Sequence, residues 1–225
     1  TAGGNGGGIY FWNSGVGHGS FTNVTIANNS ARNGGGMYLF AGTDLTIRNT
    51  IVSANIATTA NPNVSGTLVS GGYNLIGQNV GLTMTPAAGD QIGTSGSPID
   101  TLLGPLQNNG GPTFTRALLT GRPAIDKGNA SGATADQRGF TRSFDNTAIA
   151  NASDGTDIGA FEVQATPAQI TSTGGTPQSA FLNDAYTTPL QATVLDAGSL
   201  PVGGVAVTFT APASGAGATF PGGLT

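Results

Sequence analysis

Short runs of alternating apolar and polar residues recur along the first third of the chain. Ile9 and Phe11 alternate with Tyr10 and Trp12, Val24 and Ile26 flank Thr25, and Leu45 and Ile47 flank Thr46. A period of two belongs to strands that turn one face inward, so one member of each set packs inside while Tyr10 and Trp12 face out. No window carries the 3.6-residue spacing of an amphipathic helix, and the glycine-rich stretches between the runs oppose one. The runs also repeat. Asn5-Gly6-Gly7-Gly8-Ile9-Tyr10 returns as Asn33-Gly34-Gly35-Gly36-Met37-Tyr38, an offset of 28. Thr22-Asn23-Val24-Thr25-Ile26 is echoed by Arg48-Asn49-Thr50-Ile51-Val52, and Asn29 by Asn55, both at an offset of 26. The two-residue difference falls around Gly15 to Gly19 and reads as a loop insertion.

A repeat of about 25 residues built from short strands suits one coil of a solenoid. The expected fold is therefore all-β, a right-handed parallel β-helix. The triple glycines permit close approach of stacked coils. Asn23 and Asn49 fall at equivalent turns, where asparagine tolerates left-handed geometry and its amides can bond along the coil axis. Beyond residue 56 the repeat fades, and Val64-Ser65-Gly66 with Gly72-Tyr73-Asn74-Leu75-Ile76-Gly77 read as one degenerate coil. Residues 80–163 hold most of the charge and read as the last coils and a cap over the open end, since unpaired edges there would otherwise invite aggregation. Residues 1–163 thus form one domain and 164–168 a linker. Residues 169–225 form a partial immunoglobulin-like β-sandwich, with strand-like runs at Ala168–Ser172, Leu190–Leu195 and Gly204–Thr210 in the region that follows residue 167.

Composition narrows the function classes. Glycine accounts for 38 of 225 residues and charged residues for only 8%, which fits many strands joined by tight turns. Lys127 is the single lysine and the net charge is −4, so no basic surface is available to neutralise phosphates, which opposes nucleic-acid binding. Cysteine is absent, excluding disulfides and thiolate metal sites. No apolar run reaches the length of a membrane span. His18, the only histidine, lacks a second soft ligand for a transition metal.

Several motifs in order resemble the bacterial choice-of-anchor (Q-type) β-helix proteins. They are Asn33-Gly34-Gly35-Gly36-Met37-Tyr38, Gly72–Gly77, Leu103-Gly104-Pro105-Leu106-Gln107-Asn108-Asn109-Gly110-Gly111-Pro112-Thr113, Pro123-Ala124-Ile125-Asp126-Lys127-Gly128, Asp136-Gln137-Arg138-Gly139-Phe140 and Asp157-Ile158-Gly159-Ala160-Phe161-Glu162. The chain departs from that pattern at Arg116, where histidine is usual, and at Arg122, where serine is usual. The stretches Thr176–Ala180 and Pro201–Pro212 are similar to bacterial immunoglobulin-like domains of the invasin and intimin kind, whose arrays serve as stalks. These resemblances imply an extracellular or cell-surface bacterial location and a β-helix rod with an Ig-like stalk. They also imply a structural or adhesive role, with surface glycans or host and matrix proteins as partners; the charge balance and the lack of a long apolar run add the expectation of no nucleic acid and no membrane span in this stretch of chain.

The densest charged set is Asp126, Asp136, Arg138, Arg142, Asp157 and Glu162. It reads either as an acidic site or as a buried ion-pair network that pins the cap, and the second reading is preferred because buried charge is tolerated only when paired. Within it, Arg138 is expected to bridge Asp126 and another acid. Asn151, Asp154 and Asp157 have the spacing of a calcium loop but lack its bidentate glutamate, and the same residues are common turn formers. Tyr10 and Trp12 could offer a face for sugar stacking. Asp44, Arg32 and Arg48 are too few charges for a lyase or hydrolase site on the visible coils. No catalytic residue is therefore assigned. The alternatives are a polysaccharide lyase or hydrolase whose catalytic coils lie upstream, and a carbohydrate-binding module.

Overall fold

The computed structural model describes residues 4–12, 18–119, 121, 123–146, 149–181, 183–196, 199, 201–202 and 205–214. The inserted loop around Gly15 falls partly outside them, as do Arg122 and Gly204. The chain divides into two compact units, Thr1–Val163 and Gln164–Thr225. The described residues form strands and turns without helix, so the protein is all-β. No helix among them is long and apolar enough to cross a membrane.

In the first unit, equivalent strands of successive repeats lie side by side and parallel. One four-stranded sheet joins β1 (Ile9–Phe11), β5 (Met37–Leu39), β9 (Val64–Thr67) and β12 (Leu82–Thr83) in that order. A second joins β2 (His18–Thr22), β6 (Asp44–Arg48) and β10 (Val69–Ser70). A third joins β3 (Thr25–Ala27), β7 (Ile51–Ser53), β11 (Leu75–Ile76) and β13 (Gln91–Ile92), and a fourth pairs β4 (Ser30–Asn33) with β8 (Ile56–Ala60). The first two repeats pair in the register expected from the sequence: Ile9 beside Met37, Thr22 beside Arg48 and Thr25 beside Ile51. The degenerate third repeat follows, with Leu75 beside Ile51. A fourth, abbreviated repeat brings Leu75 beside Gln91.

The side chains explain why these segments stack. Met37, Leu45, Ile47, Val52, Val64 and Ile76 are fully buried in one core, and Ile9 and Phe11 pack against it. Asparagines align along the stack. Asn49 Nδ2 donates to Asn23 Oδ1 at 2.8 Å, Asn29 Nδ2 to Asn55 Oδ1 at 3.1 Å, and Asn33 Nδ2 to Asn5 Oδ1 at 3.1 Å. Asn23 and Asn49 both adopt positive φ, 59° and 47°, the left-handed geometry expected of a turn asparagine. Gly35 shows how close the backbones approach: a Cβ there would lie 2.2 Å from the Ile56 carbonyl oxygen.

The third sheet is covered on both faces. Val52 and Ile76 point into the core just described, whereas Ile51 and Leu75 enter a second core with Leu118, Ala124, Ile125, Ile158 and Phe161. Leu118 belongs to an antiparallel hairpin of β14 (Leu103–Gln107) and β15 (Thr115–Leu118). Beyond β13 the charged segment reaches the first repeat at Asn23 and Thr25, the second at Asn49 and Ile51, and the third at Leu75. It therefore runs along the flank of the stack, beside the first three repeats. The physical reason is the outward apolar pair Ile51 and Leu75, which would otherwise face water.

In the second unit β16 (Gln169–Gly174) pairs antiparallel with β17 (Gln191–Leu195), matching two of the three strand-like runs. Residues 205–210 keep the alternation of half-buried Val205, Val207 and Phe209 with exposed Ala206, Thr208 and Thr210, yet form no strand. Alternation shows which side chains turn inward; it does not supply the neighbouring edge that a ladder requires.

Candidate functional site

The charged set converges at the flank. Asp126, Asp136, Arg138, Arg142, Asp157 and Glu162 are all buried. Their partners are mostly backbone groups. Asp157 Oδ1 accepts from the Asp126 N–H at 2.8 Å and Oδ2 from the Val163 N–H at 2.6 Å. Glu162 Oε1 accepts from the Phe144 N–H at 2.9 Å, and Oε2 from the Asp157 N–H at 3.0 Å. Asp136 accepts the N–H groups of Arg138, Phe140 and Glu162. Each carboxylate thus folds a loop around itself, as buried polar groups must if their desolvation is to be offset.

Arg138 pairs with Asp136, Nη2 to Oδ2 at 2.7 Å, and also donates to the carbonyls of Asn109 and Glu162. Its guanidinium lies 3.6 Å from the ring centre of Phe161 and 4.6 Å from that of Phe140. The expected bridge from Arg138 to Asp126 is not formed. Asp126 instead accepts from the Asn146 N–H at 3.2 Å, while its own N–H is taken by Asp157. At φ +55° Asp126 is a turn residue whose carboxylate closes its own loop. Its Oδ2 is buried with no hydrogen-bond partner among the described residues.

Arg142 is the central residue that the sequence reading left in the background. It donates to the carbonyls of Asp157 and Gly159, contacts Asn23 Oδ1 at 3.4 Å and approaches Glu162 Oε2 at 3.9 Å. Asn49 completes the junction, donating to the Asp157 carbonyl at 2.9 Å and accepting from the Asn129 N–H at 3.0 Å. Gly128 is required here, because a Cβ would lie 2.3 Å from Asn49 Oδ1. The signal that could have found this junction is the pairing of turn asparagines with a fully buried arginine, but burial of Arg142 is a tertiary fact that no local pattern carries.

Four acids and two arginines share this interior. Burial pushes Asp157 up to about 7, against the pull of its two N–H donors and of Arg142. Burial, reinforced by the neighbouring Asp157 charge, pushes Glu162 up to about 8. Asp126 is also raised, by burial first, and burial lowers Arg142 while the surrounding carboxylates oppose that shift. The arrangement can hold protons and lock loops. Asp157 and Glu162 give both carboxylate oxygens to backbone N–H groups, and Asp136 divides its oxygens between backbone N–H groups and Arg138.

The other candidates separate. Asp154 gives its two oxygens to the N–H groups of Ala130 and Thr156, and Asp157 lies within the buried network. Asn151, Asp154 and Asp157 are therefore not brought together as calcium ligands, and no cluster of three or more metal-ligating acids or histidines occurs among the described residues. Tyr10 and Trp12 do face outward, 52% and 57% exposed, and Tyr10 stacks on Tyr38 with ring centres 5.5 Å apart and planes within 3°. One face of Tyr10 is thus taken by its equivalent in the next repeat.

A cleft elsewhere on this unit escaped the sequence reading. It has a volume of about 290 Å³ and lies between the first repeat, at Thr25 to Asn29, and the β14–β15 hairpin, with Gln137 and Phe161 closing it. The chain matches no family model, no curated protein and no solved structure.

Proposed function

We propose that this chain is a structural or adhesive segment of a secreted or cell-surface bacterial protein. In this reading the first unit is a right-handed parallel β-helix serving as a rod, and the second is part of an immunoglobulin-like stalk module. The observation that carries it is the parallel, in-register stacking of four successive repeats, tied by asparagine pairs. Right-handed winding is the general preference of strand-crossover-strand connections. A non-catalytic role is supported by the charged network, in which Asp136, Asp157 and Glu162 are engaged in holding loops against the repeats. The low charge and the shortage of free acids on the repeats add to that support.

The test is incubation with acidic and neutral polysaccharides, with and without calcium, following release of reducing or unsaturated ends. The proposal expects no products. Product formation abolished by Glu162→Gln in a folded protein would contradict it and return the buried acids to a catalytic role.

A further inference from the structure

The cleft between the first repeat and the hairpin has the chemistry of a ligand site. Arg116 is the only ionisable residue in its lining, in a chain whose net charge is −4. Its guanidinium carries five N–H donors, and its one hydrogen bond among the described residues runs from Nη1 to the Gly104 carbonyl at 3.0 Å. That bond anchors the fork and leaves donors for an anion. A planar fork of this kind suits a carboxylate held by two parallel bonds.

The remaining walls favour a ring bearing hydroxyls. Asn28 is exposed at the mouth of the cleft. Gln137 donates through Nε2 to Thr113 Oγ1 at 2.9 Å, so its carbonyl oxygen remains an acceptor. Amides both donate and accept, as sugar hydroxyls do. Phe114 and Leu106 lie at the rim, 62% and 57% exposed, giving an apolar surface for the C–H face of a ring. An extended acidic peptide would also use the cation and the amides, but its flexible carboxylate side chains offer no rigid C–H face to Phe114. The volume of about 290 Å³ lies at the small end of ligand sites, matching a single sugar unit of a longer chain.

We propose that this cleft binds an acidic sugar unit, a uronate within a polysaccharide, with Arg116 holding its carboxylate and Phe114 packing on its ring. The inference goes beyond the structural role and fails separately from it: release of sugar ends would sink that role, whereas absence of binding sinks only this site.

The experiment is calorimetric titration of the whole chain with a hexasaccharide in which glucuronate alternates with N-acetylglucosamine. The carboxyl methyl ester of that sugar and an oligoglutamate peptide form the comparison arms. The expected result is binding of the free acid, at least roughly tenfold weaker binding of the ester, and a similar loss in Arg116→Gln and in Phe114→Ala. Arg116→Lys should retain part of the affinity, because the charge stays while the fork is lost. Phe114 is exposed, so its substitution keeps the test valid if the arginine variants fold poorly. Equal binding of acid and ester, no effect of either substitution, preferential binding of oligoglutamate, or no binding of the hexasaccharide at millimolar concentration would each overturn the proposal.

Discussion

Arg138 and Arg142 are two cations of equal charge handled differently. Arg138 forms a close pair with Asp136 and lies against Phe161, whereas Arg142 meets its nearest carboxylate only at 3.9 Å and relies on carbonyls. Removing one partner of a buried pair strands the other, at about 3 to 5 kcal/mol. A double-mutant cycle on Arg138 and Asp136 should therefore show coupling of about 2 kcal/mol or more in urea unfolding, while a cycle on Arg138 and Asp126 should show almost none. Charge type was legible from the motif Asp136-Gln137-Arg138, but the choice of partner was not, because it depends on which loops fold back. The raised acids give a pH signature. Folded Asp157 and Glu162 retain protons that the unfolded chain releases near its ordinary carboxylate values, so their ionisation is linked to loss of stability. Their contribution is fully present below the ordinary carboxylate range, is lost as pH rises from there through about 7 and 8, and levels off above. The urea midpoint should accordingly drop between pH 5 and pH 9, and Glu162→Gln should flatten that slope; an unchanged slope would place the titrating group elsewhere.

Among elements, the repeats were the most readable part of the chain. The offsets of 28 and 26 residues seen in the sequence reappear as the spacing of hydrogen-bonded asparagine pairs, Asn5 with Asn33 and Asn23 with Asn49. The spacing shortens to 24 between Thr50 and Asn74 and to 16 between Asn74 and Asp90. The last repeat was hidden for that reason: two-residue strands at a contracted spacing leave no period to detect. The flank was hidden because Ile51-Val52 and Leu75-Ile76 are buried on both faces, which erases alternation. Stacking makes two predictions here. Gly35→Ala would drive a methyl into the Ile56 carbonyl and should cost about 3 kcal/mol, while Gly96→Ala, with open space around its Cβ, should change the midpoint little. Asn49→Ala would remove the bonds to Asn23, Asp157 and Asn129 together and should cost about 3 kcal/mol by the same measurement.

On the scale of the first unit, the repeats and the segment along their flank share one sheet between two cores. Neither is complete alone. Val52 and Ile76 serve the inner core while Ile51 and Leu75, in the same strands, serve the outer one. The flanking segment returns hydrogen bonds to the first two repeats through Ala160 to Thr25 and Gly159 to Asn49. This mutual dependence explains why the charged stretch, for which the sequence already favoured a structural network over an acidic site, is built against the repeats. Native-state hydrogen exchange tests it most directly. The amides of Leu75 and Gly77 in the stack, and those of Ile158 and Gly159 in the flanking segment, all lie in backbone hydrogen bonds. If the flank is part of the fold, these amides should open with one common free energy and share the same urea dependence. Independent, low-energy exchange at Ile158 and Gly159 while Leu75 and Gly77 stay protected would contradict the account.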